Sequence, residues 1–335
     1  MKSDDEKLKE LFLNDDNSKN SFENLMRKTK IFSVIKTIII ELMIFVILIF
    51  IILIINAKVL NDMSNRKERY LKVVSNISMP NNYIGNMQTN DVVFTGRLEY
   101  TKYKFLGNKP IFDGNYKEEY TYLPLVNCIY GESDKYLFNR SGDDLEDLRE
   151  YNKIGRPIME FYHPSIKYKS YRDDLKNIKD IEDNKLIEMS ISFDKEYTLD
   201  EIREIIPKDV TLNWCWINTL NKDDISKING YESDSEKIFN EYSVYGFKNI
   251  DNQGKYILNA EEKFIDSINI LRNNKDYKNR YEKLINTLSG GQGEIKKENL
   301  KIIGVVISGN KNQIELLENN ENIKASTIGA IAERY

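Results

Sequence analysis

The chain has 335 residues, of which 30% are charged, and its formal net charge is only −4. Nearly equal numbers of positive and negative charges do not indicate a nucleic-acid binder, and we expect no direct nucleic-acid binding. A content of 41% hydrophobic residues with 21 tyrosines is also not that of a disordered chain. About 280 residues follow the most apolar segment, which is enough for one large domain or two of ordinary size.

The most apolar segment runs from Thr37 to Ile55 and contains Glu41 as its only charged residue. A helix of that length covers about 28 Å, close to the ~30 Å thickness of the hydrocarbon core of a bilayer. The sequence therefore predicts a transmembrane helix over residues 37–57, in contact with the lipid bilayer. A cleaved secretory signal is the alternative, but no small-residue cleavage site follows Ile55.

Basic residues flank both ends of this segment. Within about ten residues of it, the N-terminal side carries more positive charge, and large domains that follow a span translocate largely regardless of charge. We therefore expect a single-pass protein of the cell membrane with its N-terminus in the cytoplasm.

Residues 1–36 contain two short segments whose apolar residues have helical spacing. These residues are Leu8, Leu11 and Phe12 in the first segment, and Phe22, Leu25 and Met26 in the second. Each segment could form a short helix with one apolar stripe, but a short isolated helix is marginal in water. Docking of the stripe on a partner protein and plain disorder are both open from the residues alone.

The middle of the chain is predicted to be rich in strands. Residues 58–79 continue the helix beyond the span, and strands are expected at 92–106 and 120–123 with a turn at 107–110 between them. A short helix is predicted at 143–152 and an extended segment at 155–164. The Lys- and Asp-rich stretch 167–184 has little apolar periodicity, so it is taken as the boundary between a region at 58–180 and a domain at 185–335.

The last 150 residues or so alternate between strand and helix patterns. Strands are predicted at 185–193, 211–220, 301–309 and 323–333, and helices at 261–274, 281–288 and 312–320, with a further helix that a capping box of Thr198 and Glu201 begins. This order predicts the α+β class: a transmembrane helix, a strand-rich region and then an α/β sandwich, for which a ferredoxin-like arrangement is one solution.

No residue pattern indicates catalysis or a cofactor. His163 is the only histidine, and the glycine cluster at 289–294 lacks the spacing of a phosphate-binding loop. Trp214 and Trp216 share one side of a strand, where the core of the sheet is the favoured interpretation over a ligand platform. Cys128 and Cys215 could form a disulfide or remain separate thiols.

Several segments resemble a known family. FENLMRKTK before the span and ISMPNNYIGN and GRLEYTKYKFLGNKPIFDG after it are similar to the N-terminal sigma-regulator domain of membrane anti-sigma factors from Gram-positive bacteria. ISFDKEYTLDEIREIIP, the strand with both tryptophans, VYGF and IIGVVISGNKNQIELLENNENIKASTIGA resemble the C-terminal domain of the same proteins. The resemblance extends from Phe22 to Ala330, with residues 125–180 unmatched.

The resemblance implies that residues 1–36 bind an extracytoplasmic-function sigma factor and keep it from RNA polymerase, while the exterior domain responds to an envelope signal. The apolar contacts expected are Leu8, Leu11, Phe12, Phe22 and Leu25. A second membrane protein is a further partner that this interpretation leaves open. Enzymatic activity and a cofactor are not expected, because no catalytic or cofactor-binding pattern occurs in the sequence. The His and Cys residues of a cytoplasmic zinc-binding domain are also absent, so a metal site and a metal- or thiol-switched release are not expected. The alternative is an anchored exterior binding or scaffold protein whose N-terminal segment is inert.

Overall fold

The computed structural model describes residues 4–123, 135–138 and 149–334, and it describes side chains within 23–123 and 149–334. The chain divides into two compact units, Met1–Asn61 and Asp62–Tyr335. The second is called the C-terminal unit below.

A single helix, α1, runs from Asp4 to Ile77. Its part from Glu23 to Ile77 is long and apolar enough to cross a membrane, and the large apolar side chains between Ile31 and Ile55 are exposed, as the lipid-facing residues of a span would be. The helix predicted over 37–57 is therefore confirmed as helix, and its continuation predicted at 58–79 is confirmed as far as Ile77. Before the span, the structure has one continuous helix where the sequence predicted two short ones.

Three antiparallel strands follow α1 in the order β1-β2-β3: β1 (Asn82–Asp91), β2 (Thr95–Leu106) and β3 (Lys109–Thr121). The strand predicted at 92–106 is β2, and the one predicted at 120–123 overlaps only the end of β3. The predicted turn at 107–110 contains Gly107, whose φ of 56° suits glycine. The sequence did not predict β1, because its residues NYIGNMQTND are mostly polar.

The helix predicted at 143–152 is wrong for its last four residues. Arg149–Asn152 form strand β5, which pairs antiparallel with β4 (Lys135–Phe138), while residues 143–148 lie outside the described residues. Pairing with the preceding strand, β4, here outweighs the local helix preference of the acidic and leucine residues. In the extended segment 155–164, the regular part is β6 (Glu160–Phe161).

A five-stranded antiparallel sheet and its helices make up the rest of the chain. In chain order the elements are β7 (Lys185–Tyr197), α2 (Leu199–Ile205), β8 (Thr211–Ile217), α3 (Lys222–Asn229), β9 (Phe239–Asn240, paired with β6), β10 (Gly246–Lys248), α4 (Ala260–Asn273), α5 (Lys278–Leu288), β11 (Ile302–Asn310), α6 (Lys311–Glu315) and β12 (Ile323–Glu333).

The strand order of this sheet is β10-β8-β11-β7-β12. The α2 connection joins β7 to β8 with β11 between them, and the α6 connection joins β11 to β12 with β7 between them. Two such split β-α-β units make a ferredoxin-like arrangement, with α3, β9, β10, α4 and α5 inserted between β8 and β11. The predicted α+β class is confirmed; α3 and β10 were not assigned as elements in advance.

The two faces of the sheet carry different cores. Helices cover one face, where Ile202, Phe264, Tyr281 and Ile314 pack with the inward residues of the strands. On the other face, Trp214 and Trp216 pack with Met159, Phe161 and Val306. Both tryptophans are buried, which confirms the core interpretation.

Helix α2 begins with a capping box formed by Thr198 and Glu201. The Thr198 hydroxyl accepts a hydrogen bond from the Glu201 backbone N–H, and the Glu201 carboxylate accepts one from the Thr198 backbone N–H at 2.7 Å. Thr198→Ala should lower the free energy of unfolding by about 1 kcal/mol, measured by urea denaturation of the full chain. Thr198→Ser keeps the capping oxygen and should match the wild type; equal losses in both variants would show that the cap contributes nothing.

Candidate functional sites

The N-terminal segment has a helical backbone ahead of the predicted span. Leu25 lies on α1 and is 62% exposed, and the neighbouring Met26 is 57% exposed. Leu8, Leu11, Phe12 and Phe22 lie on the helical backbone of α1, and their side chains are outside the described residues. Helical spacing places positions 8, 11 and 12 along one face. The five apolar contacts expected from the sequence therefore remain a prediction.

The end of α1 is packed into the C-terminal unit. The Tyr70 ring stacks on Tyr277 with ring centroids 4.0 Å apart, and the Tyr70 and Tyr281 hydroxyls share a hydrogen bond of 2.9 Å. Lys67 donates to the Glu119 carbonyl at 2.8 Å, and Ile77 is fully buried in the helix-covered core. The residues that follow the predicted span thus contact both α5 and β3.

A buried charge cluster joins the two sheets. The Lys104 Nζ on β2 lies 3.0 Å from Oε2 of Glu188 on β7 and 3.1 Å from Oε2 of Glu241, which precedes β10. The three side chains are at most 3% exposed. Such a cluster joins segments far apart in the chain, and its geometry is specific because each charge needs its partner.

Polar side chains complete this cluster. Asn81 donates from Nδ2 to Oε1 of Glu188 at 2.7 Å and to the Phe105 carbonyl at 2.8 Å, and the backbone N–H of Ala330 donates to Oε2 of Glu188. Asn213 donates to Oδ1 of Asn81 at 3.0 Å. Asn81 lies between α1 and β1, next to Pro80, and has a φ of 46°. These bonds therefore hold an unusual backbone conformation at this point of the chain.

Burial and charge act in opposite directions on the pKa values of the cluster. Burial disfavours the charged Lys104 amine, but the carboxylates of Glu188, Glu241 and Asp113 act in the opposite direction, and the net result is a raised pKa. For Glu241, burial dominates over the opposing effect of Lys104 and raises the pKa to about 7. Lys104 therefore stays protonated near neutral pH, while Glu241 exchanges a proton there.

His163 is a buried structural residue. Its Nε2 lies 3.0 Å from Oδ1 of Asn218, and burial lowers its pKa. Cys215 is a buried free thiol whose Sγ accepts a hydrogen bond from Asn249 at 3.2 Å, and Cys128 lies outside the described residues. Among the described residues, no group of three or more His, Cys, Asp or Glu could hold a metal ion.

The sequence did not indicate the Lys104 cluster. Lys104 stands among the aromatic residues of β2 and Glu188 between Ile187 and Met189 of β7. A charge inside an otherwise apolar strand is a signal of this kind of pairing, although it does not identify the partner.

Two family models match the chain. The model described as sigma factor regulator N-terminal matches residues 23–111, which extend from α1 into β3. The model described as sigma factor regulator C-terminal matches residues 178–330, which contain four strands of the five-stranded sheet and most of β12. No curated protein and no solved structure matches. The two matches lie in the order of the resemblance, and Lys104 and Glu188 fall in different ones.

Removal of the central cation should destabilise the C-terminal unit. Lys104→Met leaves Glu188 and Glu241 buried without a counter-charge, and the free energy of unfolding at pH 7 should fall by about 3–5 kcal/mol. Urea denaturation of the full chain measures it. Lys208→Met, at an exposed position between α2 and β8, should change it by less than about 0.5 kcal/mol. A Lys104→Met variant as stable as this control would contradict a coupled cluster.

Glu241 should give the protein a pH-dependent stability. Its pKa of about 7 lies above the value of 4.5 for an ordinary glutamate, so the folded protein binds the proton more tightly than the unfolded chain does. The contribution of Glu241 to the free energy of unfolding is therefore complete below about pH 4.5 and is lost as the pH rises through about 7.

Denaturation at pH values from 5 to 8 tests this dependence. The free energy of unfolding of Glu241→Gln, relative to that of the wild type, should increase as the pH rises across that range. The exposed Glu232→Gln serves as the matched control and should run parallel to the wild type. Parallel curves for Glu241→Gln as well would show that Glu241 does not titrate in this range.

Proposed function

We propose that this chain, which belongs to the sigma factor regulators and carries both their N-terminal and C-terminal domains, is an anti-sigma factor that holds an extracytoplasmic-function sigma factor through residues 1–36. The observation that carries the proposal is the pair of family matches in the expected order, the first of which includes the apolar part of α1. The chemistry is a binding equilibrium, and no catalytic step is required.

The segment before the span suits helix-in-groove recognition. Leu25 and Met26 are exposed, and the spacing of Leu8, Leu11 and Phe12 continues an apolar stripe on the same helix. An amphipathic helix binds by placing such a stripe in an apolar groove of its partner. The acidic residues around the first three positions would then favour a basic rim on the sigma factor.

We place the N-terminus in the cytoplasm and the C-terminal unit outside the membrane. The sigma factor and RNA polymerase are cytoplasmic, so a segment that binds the sigma factor must be there too. The excess of positive charge close to the N-terminal end of the span agrees with this orientation. The C-terminal unit is then the part that meets an envelope signal.

Control from outside would act through the end of α1. Tyr70, which contacts Tyr277 and Tyr281, and the buried Ile77 lie at the end of α1. The predicted span is an earlier part of the same helix. We take the packed arrangement of these residues as the state that holds the sigma factor. A signal that loosens it would change the helix at the point where it leaves the bilayer.

The energy that such a signal must supply is modest. Holding 99% of the sigma factor requires free regulator at about one hundred times the dissociation constant, and a loss of about 3 kcal/mol of binding free energy releases about half. A few lost contacts at the end of α1 are of this size.

A pulldown with the full chain as bait tests the proposal. Leu11→Asp with Phe12→Asp places two charges in the apolar stripe, so the native sigma factor should be recovered by the wild type and lost from this variant, as measured by mass spectrometry. Transcription of its regulon should rise in cells that carry the variant.

The matched control is Asn17→Asp with Asn20→Asp. It adds the same charge on the opposite face of the helix and should retain the sigma factor. Recovery of no sigma factor by the wild type would instead favour the anchored binding or scaffold protein with an inert N-terminal segment.

A further inference from the structure

A cavity of about 390 Å3 lies within the C-terminal unit, between the end of α1, strand β1 and the first turn of α4. Its apolar lining includes Ile84, Met87, Phe247, Ile257 and Phe264. A cavity of this volume falls in the range of small-molecule sites, which combine an apolar lining with a few polar groups.

Lys248 lines this cavity and is buried without an anionic partner. The residue is 8% exposed, and its Nζ lies 4.5 Å from the centroid of the Tyr83 ring, which also lines the cavity. No ion pair to Lys248 occurs among the described residues, whereas Lys104, buried to a similar degree, has two. An unpaired buried ammonium is costly, so the position calls for a reason other than stability.

Positive charge dominates around Lys248. Lys72 and Lys263 line the same cavity, and Lys102 lies close enough to add to the effect of burial, which lowers the pKa of Lys248 to about 7. Lys72 is paired with Glu68 at 2.5 Å. Of the described lining residues only Asp251 is acidic, and its Oδ1 already accepts the backbone N–H groups of Gln253 and Lys255 at 2.8 and 2.9 Å.

The N-terminal end of α4 adds to this potential. Ala260, Lys263 and Phe264 from its first turns line the cavity, and the N-cap residue Asn259 makes no side-chain hydrogen bond to the helix. The amino end of a helix favours anions through its free N–H groups and its dipole. An anion next to Lys248 would therefore meet two independent sources of positive potential.

We propose that this cavity binds a small organic anion, whose carboxylate or phosphate group pairs with Lys248 and whose apolar part lies against Phe247 and Phe264. Bound there, it also meets Lys72, Ser75 and Asn76 at the end of α1. Binding of the anion in the cavity is then the signal that changes the hold on the sigma factor. This last step rests on the proposed function.

Calorimetric titration of the full chain in lipid nanodiscs tests the site with benzoate and phenyl phosphate, and with phenol as the uncharged probe. At least one anion should bind with a stoichiometry of one, and phenol should bind at least tenfold more weakly. Benzoate binding should be tighter at pH 6 than at pH 8.5, because the protonated amine of Lys248 is the form that pairs with the anion. A benzoate site without phenyl phosphate binding identifies a carboxylate ligand, and the reverse identifies a phosphate.

Lys248→Met is the decisive variant, and exposed Lys275→Met is its matched control. Lys248→Met should weaken anion binding at least tenfold and melt at or above the wild-type temperature, since it removes an unpaired buried charge; Lys275→Met should bind as the wild type does. Binding of neither anion, equal binding by Lys248→Met, or equal binding of phenol would overturn the proposal. The titration contains no sigma factor, so its failure leaves the sigma-factor pulldown unaffected, and the reverse also holds.

Discussion

One buried ammonium group, that of Lys104, determines how the two sheets of the C-terminal unit meet. It lies between carboxylates from β7 and from the segment before β10, and each of the three groups would be a costly buried charge without the others. Such a cluster adds little net stability compared with apolar packing, but it penalises any arrangement in which the sheets separate or shift. It therefore specifies one arrangement, and it does so across the two matched domains of the family.

The same junction determines where α1 ends. Asn81 bonds to Glu188 of the cluster and to the Phe105 carbonyl, while Ile77, one turn earlier, is buried in the core. The chain that leaves the predicted span is thus attached to both sheets within a few residues. A change at the junction, through protonation of Glu241 or a ligand beside Lys248, has a short covalent and packed path to the helix.

Sequence patterns were sufficient where local rules decide the structure. Alternation and apolar runs predicted β7, β8 and β11, the capping box predicted α2, and apolar length predicted the helix of the span. They failed at Arg149–Asn152, where pairing with the preceding strand β4 outweighs the local helix preference, and at β1, whose polar residues give little alternation. The charge cluster could not be predicted either, because Glu188 and Glu241 lie 84 and 137 residues from Lys104 along the chain. The sigma-factor contacts at Leu8, Leu11, Phe12, Phe22 and Leu25 remain predictions.

On the proposed function, packing of the C-terminal unit around the end of α1 sets the hold on the sigma factor. The most direct test measures transcription from a sigma-dependent promoter in cells that carry Tyr277→Ala, which removes the ring stacked on Tyr70. An immunoblot of the membrane fraction shows in the same cells how much full-length protein is present. We expect increased transcription with an undiminished amount of protein. Wild-type transcription at an equal amount of protein would contradict control through the end of α1.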